Sequence, residues 1–289
     1  DVKYSWEESL PIAQTATLSK IKEYAQKIYE KTFIEAFIYG DFTEFVSKEA
    51  LNSFKKETGT LGISREDAFD IKYLVQPNPE SLQYVDRLKV NNSCFYREYN
   101  IGKDTPKNRA KSLVISQAIQ QPFYTEMRTN QQLGYIVWSY PRLRENTHYL
   151  AFVIQSGEYS ALELSERASK LIYDLPSIVN SLDDETFQQL KNSAIEKLEK
   201  RPMSIAERSG KLKNLIFEFN GDYSRDKKTI EALRSLKKKE AVESITLAVS
   251  DDTKKMVNFM MFAKQHEMKK DLKSSFKDLN KWKKTRKYK

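Results

Sequence analysis

The stretch Pro122-Phe-Tyr-Thr-Glu-Met-Arg-Thr-Asn-Gln-Gln-Leu-Gly-Tyr-Ile-Val-Trp138 changes its backbone period partway along. Its first part completes a helical pattern. Pro106 to Thr129 reads as mostly helix, with Leu113, Ile115, Ala118 and Ile119 inward and Pro122 as a break or kink. A short polar turn follows, and Gly134 opens a strand carrying Tyr135, Val137 and Trp138. Tyr135 to Tyr140 and Tyr149 to Gln155 alternate as strands, joined by the polar connection Pro141 to Thr147 that suits a hairpin.

The pattern extends in both directions. Upstream, Phe69 to Val75 and Ser93 to Asn100 read as strands, separated by Pro77 and Pro79, with a turn at Asn91-Asn92. Downstream lie helices over Ala161 to Ser181, with Pro176 as a kink, then Asp184 to Lys200, Ser204 to Phe219, Thr229 to Leu236 and Lys239 to Val249. Met256 to Phe262 is a last strand. Strands, helix, strands, several helices and a strand predict an α+β fold, an antiparallel or mixed sheet with helices on one face.

Near the start, Leu18, Ile21, Ala25 and Ile28 recur at helical spacing behind a Thr17 cap, so Leu18 to Lys31 is predicted helical. Thr32 to Tyr39 is β-branched and aromatic and predicts a strand. Thr43 to Lys56 predicts a helix ended by Gly59. Asp1 to Thr17 shows no clear period. This αβα unit is too small for a domain, and with Asp1 in place of an initiator Met it is expected to be the end of a domain begun upstream. Any targeting signal would also lie upstream, so the compartment is open. The expected domains are therefore 1–62, the end of one αβ domain; 63–264, a complete αβ domain; and 265–289, a Lys-rich tail.

Composition excludes several classes. With 39% hydrophobic residues in 289, the chain can bury a core. No apolar run reaches membrane-spanning length. The net charge of +9 suggests nucleic acid, but Lys264 to the end holds 11 basic and 3 acidic residues, which leaves the rest near neutral. A terminal charge run of this kind predicts a solvated tail rather than a nucleic-acid face. Cys94 is the only cysteine, so no internal disulfide forms.

Chemistry-bearing residues are sparse. His148 and His266 are the only histidines and are far apart, so this chain does not ligate a zinc ion by itself. A Cys94–His148 dyad is formally open, although a lone cysteine usually behaves as a small buried hydrophobe. There is no Gly-x-Ser-x-Gly elbow and no phosphate-cradling glycine loop. Asp183-Asp184-Glu185 is explained by a helix start. Arg128 and Tyr135 remain, with a fork of N–H donors and a phenol near one edge of the sheet. Their spacing leaves two readings open. Either both contact a ligand, or Arg128 neutralises Glu126 or caps helix carbonyls while Tyr135 packs in the sheet.

The Glu-x-Arg-Thr-x-x-Gln-Leu-Gly-Tyr-x-Val pattern from Glu126 to Val137 resembles the last domain of the pitrilysin/insulysin zinc peptidases. So do Asn91-Asn92-Ser-Cys94, Phe152 to Ser156, Thr186 to Pro202, Ser204 to Glu207, Asn220 to Asp226 and Leu233 to Lys239. The resemblance covers essentially Glu66 to Lys264. It implies four homologous αβ domains in two halves around a chamber, with zinc and the general base in the first domain. It implies that Arg128 and Tyr135 reach from the last domain to a peptide substrate held there. The family's His-x-x-Glu-His motif is absent from this chain. The resemblance therefore implies a non-catalytic C-terminal half, inactive alone, that partners the N-terminal half of the same polypeptide, where zinc would sit. A catalytically inactive peptide-binding or assembly subunit of the same fold is the alternative.

Overall fold

The computed structural model describes residues 6–68, 74–77 and 79–288. In chain order the elements are α1 (Trp6–Gln14), α2 (Leu18–Glu30), β1 (Lys31–Thr32), α3 (Glu44–Thr58), β2 (Leu61–Gly62), β3 (Glu80–Arg87), β4 (Ser93–Lys103), α4 (Pro106–Tyr124), a π-helical turn (Thr125–Asn130), β5 (Ile136–Arg144), β6 (Thr147–Ser156), α5 (Ala161–Asn180), α6 (Asp184–Glu199), α7 (Ile205–Phe217), α8 (Arg225–Ser235), α9 (Lys238–Val249), β7 (Lys255–Phe262) and α10 (Leu279–Lys284). The described residues fall into two compact units: 6–68 with 202–222, and 74–77 and 79–201 with 223–288.

The second unit is the predicted α+β fold. Its sheet runs β3-β7-β4-β6-β5, with β3 parallel to β7 and the remaining pairs antiparallel. The two-residue period of β4 and β6 sends Phe95, Tyr99, Leu150, Phe152 and Ile154 to one buried face. There they meet Ile115, Ile119 and Phe123 of α4 and Leu164, Ala168 and Ile172 of α5. Phe123 and Phe152 pack with ring centroids 5.0 Å apart. The other face of the sheet carries Trp138, Tyr140, Tyr96 and Phe259, partly or fully exposed.

The first unit is different in kind. Thr17 and Thr43 cap α2 and α3, and Gly59 ends α3 at φ +64°, as the sequence predicts. Yet neither helix buries a residue, and Leu18, Ile21, Ile28 and Phe45 are exposed.

Several expectations need correction. The strand predicted over Thr32 to Tyr39 is reduced to Lys31–Thr32, which pairs in parallel with Leu61–Gly62. β-Branched composition favours a pleated surface but cannot supply a partner strand, and among the described residues 33–39 have none. The strand predicted at Phe69 to Val75 lies mostly outside the described residues; Leu74 makes an isolated bridge to Tyr288. β3, α1 and α10 have no counterpart in the sequence reading. The hairpin connection is two residues, not seven: Glu145 and Asn146 both take positive φ, 54° and 55°, the backbone of a tight primed turn. Pro122 does not end α4. It removes the donor to the Ala118 carbonyl, and the helix continues into the π-helical turn.

The basic C-terminal segment is not a solvated tail. Met268 and Leu272 pack on Met260 and Phe262. Ser275 N–H donates to the Gln83 carbonyl (2.7 Å), and the Gln83 and Val85 amides donate to the Ser275 and Ser274 hydroxyls (2.8 and 2.9 Å). Phe276 stacks on Tyr84, Trp282 lies against Phe276, and Arg286 pairs with Glu80 at 2.5 Å. Met268, Leu272, Phe276 and Trp282 are partly buried while most of the lysines between them are exposed, so a high net charge coexists with docking.

Candidate functional site

The site grows from the end of α4. Phe123 and Met127 are buried and pin the helix end; Leu133 and Val137 are buried and pin the start of β5. Between them the chain must reverse in a few residues. The π-helical turn supplies the reversal, with Gln131 N–H donating to the Glu126 carbonyl (3.0 Å) and Leu133 N–H to the Met127 carbonyl (2.9 Å). Gln132 adopts a positive φ of 52°. Gly134 then passes so close to β6 that a Cβ there would lie 1.9 Å from the Gln155 carbonyl oxygen, which only glycine tolerates.

This geometry brings Arg128 and Tyr135 together. Arg128 Nη1 donates to the Gly134 carbonyl (3.3 Å) and, by a shorter contact, to the Tyr135 carbonyl. The guanidinium lies over the Tyr135 ring at 4.5 Å and within 5.8 Å of the Tyr124 ring. Nε and Nη2 of Arg128 and the Tyr135 hydroxyl have no partner among the described residues. Tyr135 is 84% exposed. One face of the cation is thus fixed by carbonyls and a ring, while donors remain for something outside the chain.

Neither bland role survives in the form expected. Glu126 is held by Asn130 and Gln131, both at 2.8 Å, and these hydrogen bonds, Asn130's first, keep its carboxyl below the usual range without Arg128. Arg128 does bind carbonyls, but those that open β5 rather than those ending the helix. Tyr135 is not packed in the sheet. Tyr124 escaped the sequence reading; its i,i+4 spacing to Arg128 on one helical path was the available signal.

The other candidates are placed elsewhere. Cys94 sits opposite Gln155, and His148 opposite Gly102 at the far end of the same strand pair, so no dyad forms. Burial pushes the Cys94 thiol up. His148 Nε2 lies 2.8 Å from Asp104, which also binds Arg109 and Arg225. His266 Nδ1 lies 2.8 Å from the Ser93 hydroxyl. Asp183 caps α6 through the Thr186 amide at 2.6 Å, as expected of a helix start. Among the described residues no group of three His, Cys, Asp or Glu side chains converges to hold a metal. The residues present do not fit a zinc site. No helix among them is long and apolar enough to cross a membrane.

Comparison with known proteins adds a family context. Residues 114–213 match the family described as PQQ synthase PqqF-like, C-terminal lobe domain 4. The chain is 24% identical over 245 residues to a nardilysin-like protein of Arabidopsis thaliana, covering 83% of this chain and 24% of that protein. It is 23% identical over 251 residues to human insulin-degrading enzyme, covering 84% and 24%. It spans about a quarter of the length of these curated relatives. The crystal structure of pitrilysin superposes with a TM-score of 0.83 at 18% identity, over 99% of this chain and 31% of that one. A peptidase M16 inactive domain from Pseudomonas fluorescens shares the fold at a TM-score of 0.58 and 15% identity, over 88% and 59%.

Proposed function

We propose that this chain, a relative of the C-terminal half of the pitrilysin/insulysin-type peptidases, is the non-catalytic half of a zinc metalloendopeptidase that cleaves peptides in an enclosed chamber. Its part is to hold the peptide. Residues 63–264, together with the segment docked on β3, are read as the last domain and residues 1–62 as the end of the preceding one, whose Leu18, Ile21 and Ile28 are exposed. On this reading zinc belongs to the N-terminal half, as the resemblance implies, and no ligand set among the described residues fits it.

The observation that carries the reading is the Arg128–Tyr135 pair. An Arg fork anchored on backbone carbonyls and an exposed phenol beneath its guanidinium can donate hydrogen bonds to a peptide carbonyl. Donors fixed before the reaction need no reorganisation when negative charge develops on that oxygen. Losing one such donor typically costs about 2.7–4 kcal/mol of transition-state stabilisation.

The test pairs this chain with its N-terminal half and measures peptide cleavage. Tyr135→Phe and Arg128→Ala are each expected to lower kcat/KM by about 100- to 1000-fold, with the melting temperature of Tyr135→Phe unchanged. Unchanged cleavage in both variants would sink the reading, as would zinc-dependent cleavage by this chain alone. An N-terminal half without His-x-x-Glu-His would favour the inactive peptide-binding subunit instead.

A further inference from the structure

β5 is the last strand of the sheet, and its outer side pairs with no strand among the described residues. Which of its backbone groups face outward follows from the turn. In an antiparallel ladder every second pair exchanges both hydrogen bonds. The two-residue turn makes Arg144–Thr147 the first such pair, so Tyr140–Ala151, Trp138–Val153 and Ile136–Gln155 follow by alternation. The intervening residues Val137, Ser139, Pro141 and Leu143 therefore turn their N–H and C=O outward. Pro141 agrees with this assignment, because a proline fits a strand only where no ladder donor is needed. No backbone hydrogen bond engages the Val137 or Ser139 rim among the described residues.

The rim is continuous with the Arg128–Tyr135 pair, since β5 begins at the residue after Tyr135. Beside it, on the open face, Ile136, Trp138 (53% exposed) and Tyr140 stand at every second position. Past them lies Arg142, also partly exposed, sharing the buried Glu98 carboxylate with Arg144 at 3.8 and 2.5 Å. Two guanidinium groups on one carboxylate leave a net positive charge there.

We propose that the β5 rim takes up an extended peptide as a sixth strand. Val137 and Ser139 exchange backbone hydrogen bonds with it, Trp138 and Tyr140 flank its apolar side chains, and Arg142 meets an acidic side chain. Pro141 sets the limit of the pairing by withholding a donor. The ligand class is thus an extended segment with alternating apolar residues and a carboxylate two or three positions beyond them. Added strands of this kind draw affinity from the main chain and selectivity from alternate side chains. The inference rests on the peptide-binding reading above, but its test needs neither zinc nor cleavage.

Binding of fluorescein-labelled Glu-Thr-Val-Thr-Val-Thr-Glu to the 289-residue chain is followed by fluorescence anisotropy. Three changes are each expected to weaken it tenfold or more: Ser139→Pro, which removes the rim donor where the sheet does not use it; Trp138→Ala; and N-methylation of the peptide at alternate amides in both registers. Arg142→Gln should weaken the Glu-ended peptide while leaving a Gln-ended one within twofold. An N-methylated peptide that binds as well as its parent overturns the proposal, independently of how Ser139→Pro folds. So does no measurable binding of the parent up to about 1 mM, the weak end of specific recognition. Neither result touches Arg128 and Tyr135, whose role is read by cleavage.

Discussion

Along β3, the C-terminal segment presses Ser274 and Ser275 onto the backbone of Gln83 and Val85 and lays Phe276 over Tyr84. Along β5, at the opposite edge of the same sheet, the rim stays bare beside the exposed Tyr135 and Trp138. An unpaired edge is an aggregation hazard that proteins usually blunt. The segment from Met268 to Arg286 closes one edge, while the other pairs with no strand among the described residues. The difference teaches that the basic segment is a structural cover for β3, and that β5 has no such cover among the described residues.

Removing the cover is the severest way to break that contrast. Deleting Lys269–Lys289 uncovers the Gln83 and Val85 backbone and part of the Met260 and Phe262 surface. Leu272 and Phe276 are half-buried and would each forfeit about 1 kcal/mol of burial, part of the roughly 1.5–3 kcal/mol for full burial, so a total loss of about 2–3 kcal/mol is expected, with self-association through β3. Urea denaturation and light scattering check both. A truncated chain that stays monomeric and as stable as the parent would mean that β3 needs no guard.

The open edge depends instead on one close approach. Gly134→Ala puts a methyl group against the Gln155 backbone, which cannot rotate away. A loss of about 1–3 kcal/mol, typical of overpacking, is expected. Gly210→Ala, in α7 where a Cβ meets nothing, should instead gain up to about 1 kcal/mol from helix propensity. Thermal denaturation of the two variants separates them. If Gly134→Ala melts with the parent, the tight seam between β5 and β6 does not position Arg128 and Tyr135.

The same contrast explains what the sequence made legible. β5 alternates over its first five residues and β6 over most of its length because one face is buried and the other more open, and Gly134 and the capped helices announce themselves locally. β3 was invisible for a physical reason. Gln83 and Val85 bind the C-terminal segment and Ser81 is exposed, so the strand lacks an apolar period. The segment itself read as solvated because its charge masks Met268, Leu272, Phe276 and Trp282, spaced too irregularly for any period. Arg128 and Tyr135 were singled out by motif, and the structure brings their side chains together. What Arg128 holds could not be, since a bond to the carbonyls of Gly134 and Tyr135 depends on the π-helical turn after Pro122.

The smallest expected effect concerns the far end of the open edge. There the hairpin turn is tied to the sheet by Asp104, whose amide donates to the Asn146 carbonyl at 2.7 Å and whose carboxylate holds His148, Arg109 and Arg225. Burial lowers the His148 pKa below its ordinary 6.5, against the pull of Asp104 and with help from the Arg225 and Arg109 charges. Burial raises Asp104, but hydrogen bonds from Arg225 and His148, with the two Arg charges, outweigh it and hold the carboxyl below 3.8. Both shifts have the same consequence. Below pH 6.5 the unfolded chain protonates His148 before the folded one does, so stability falls until the folded value is passed. Asp104 adds a second loss as the pH falls through 3.8 and on through its own lowered value. Trp138 on β5 and Trp282 in the cover give separate fluorescence signals in single-tryptophan variants. On acidification from pH 7 to 5, the urea midpoint reported by Trp138 should fall, and His148→Gln, which keeps a donor toward Asp104, should flatten that slope. The Trp282 signal shares the fall only if both edges unfold as one cooperative unit. A Trp138 midpoint that is flat over this range in the parent would show that Asp104 and His148 do not tie the hairpin down.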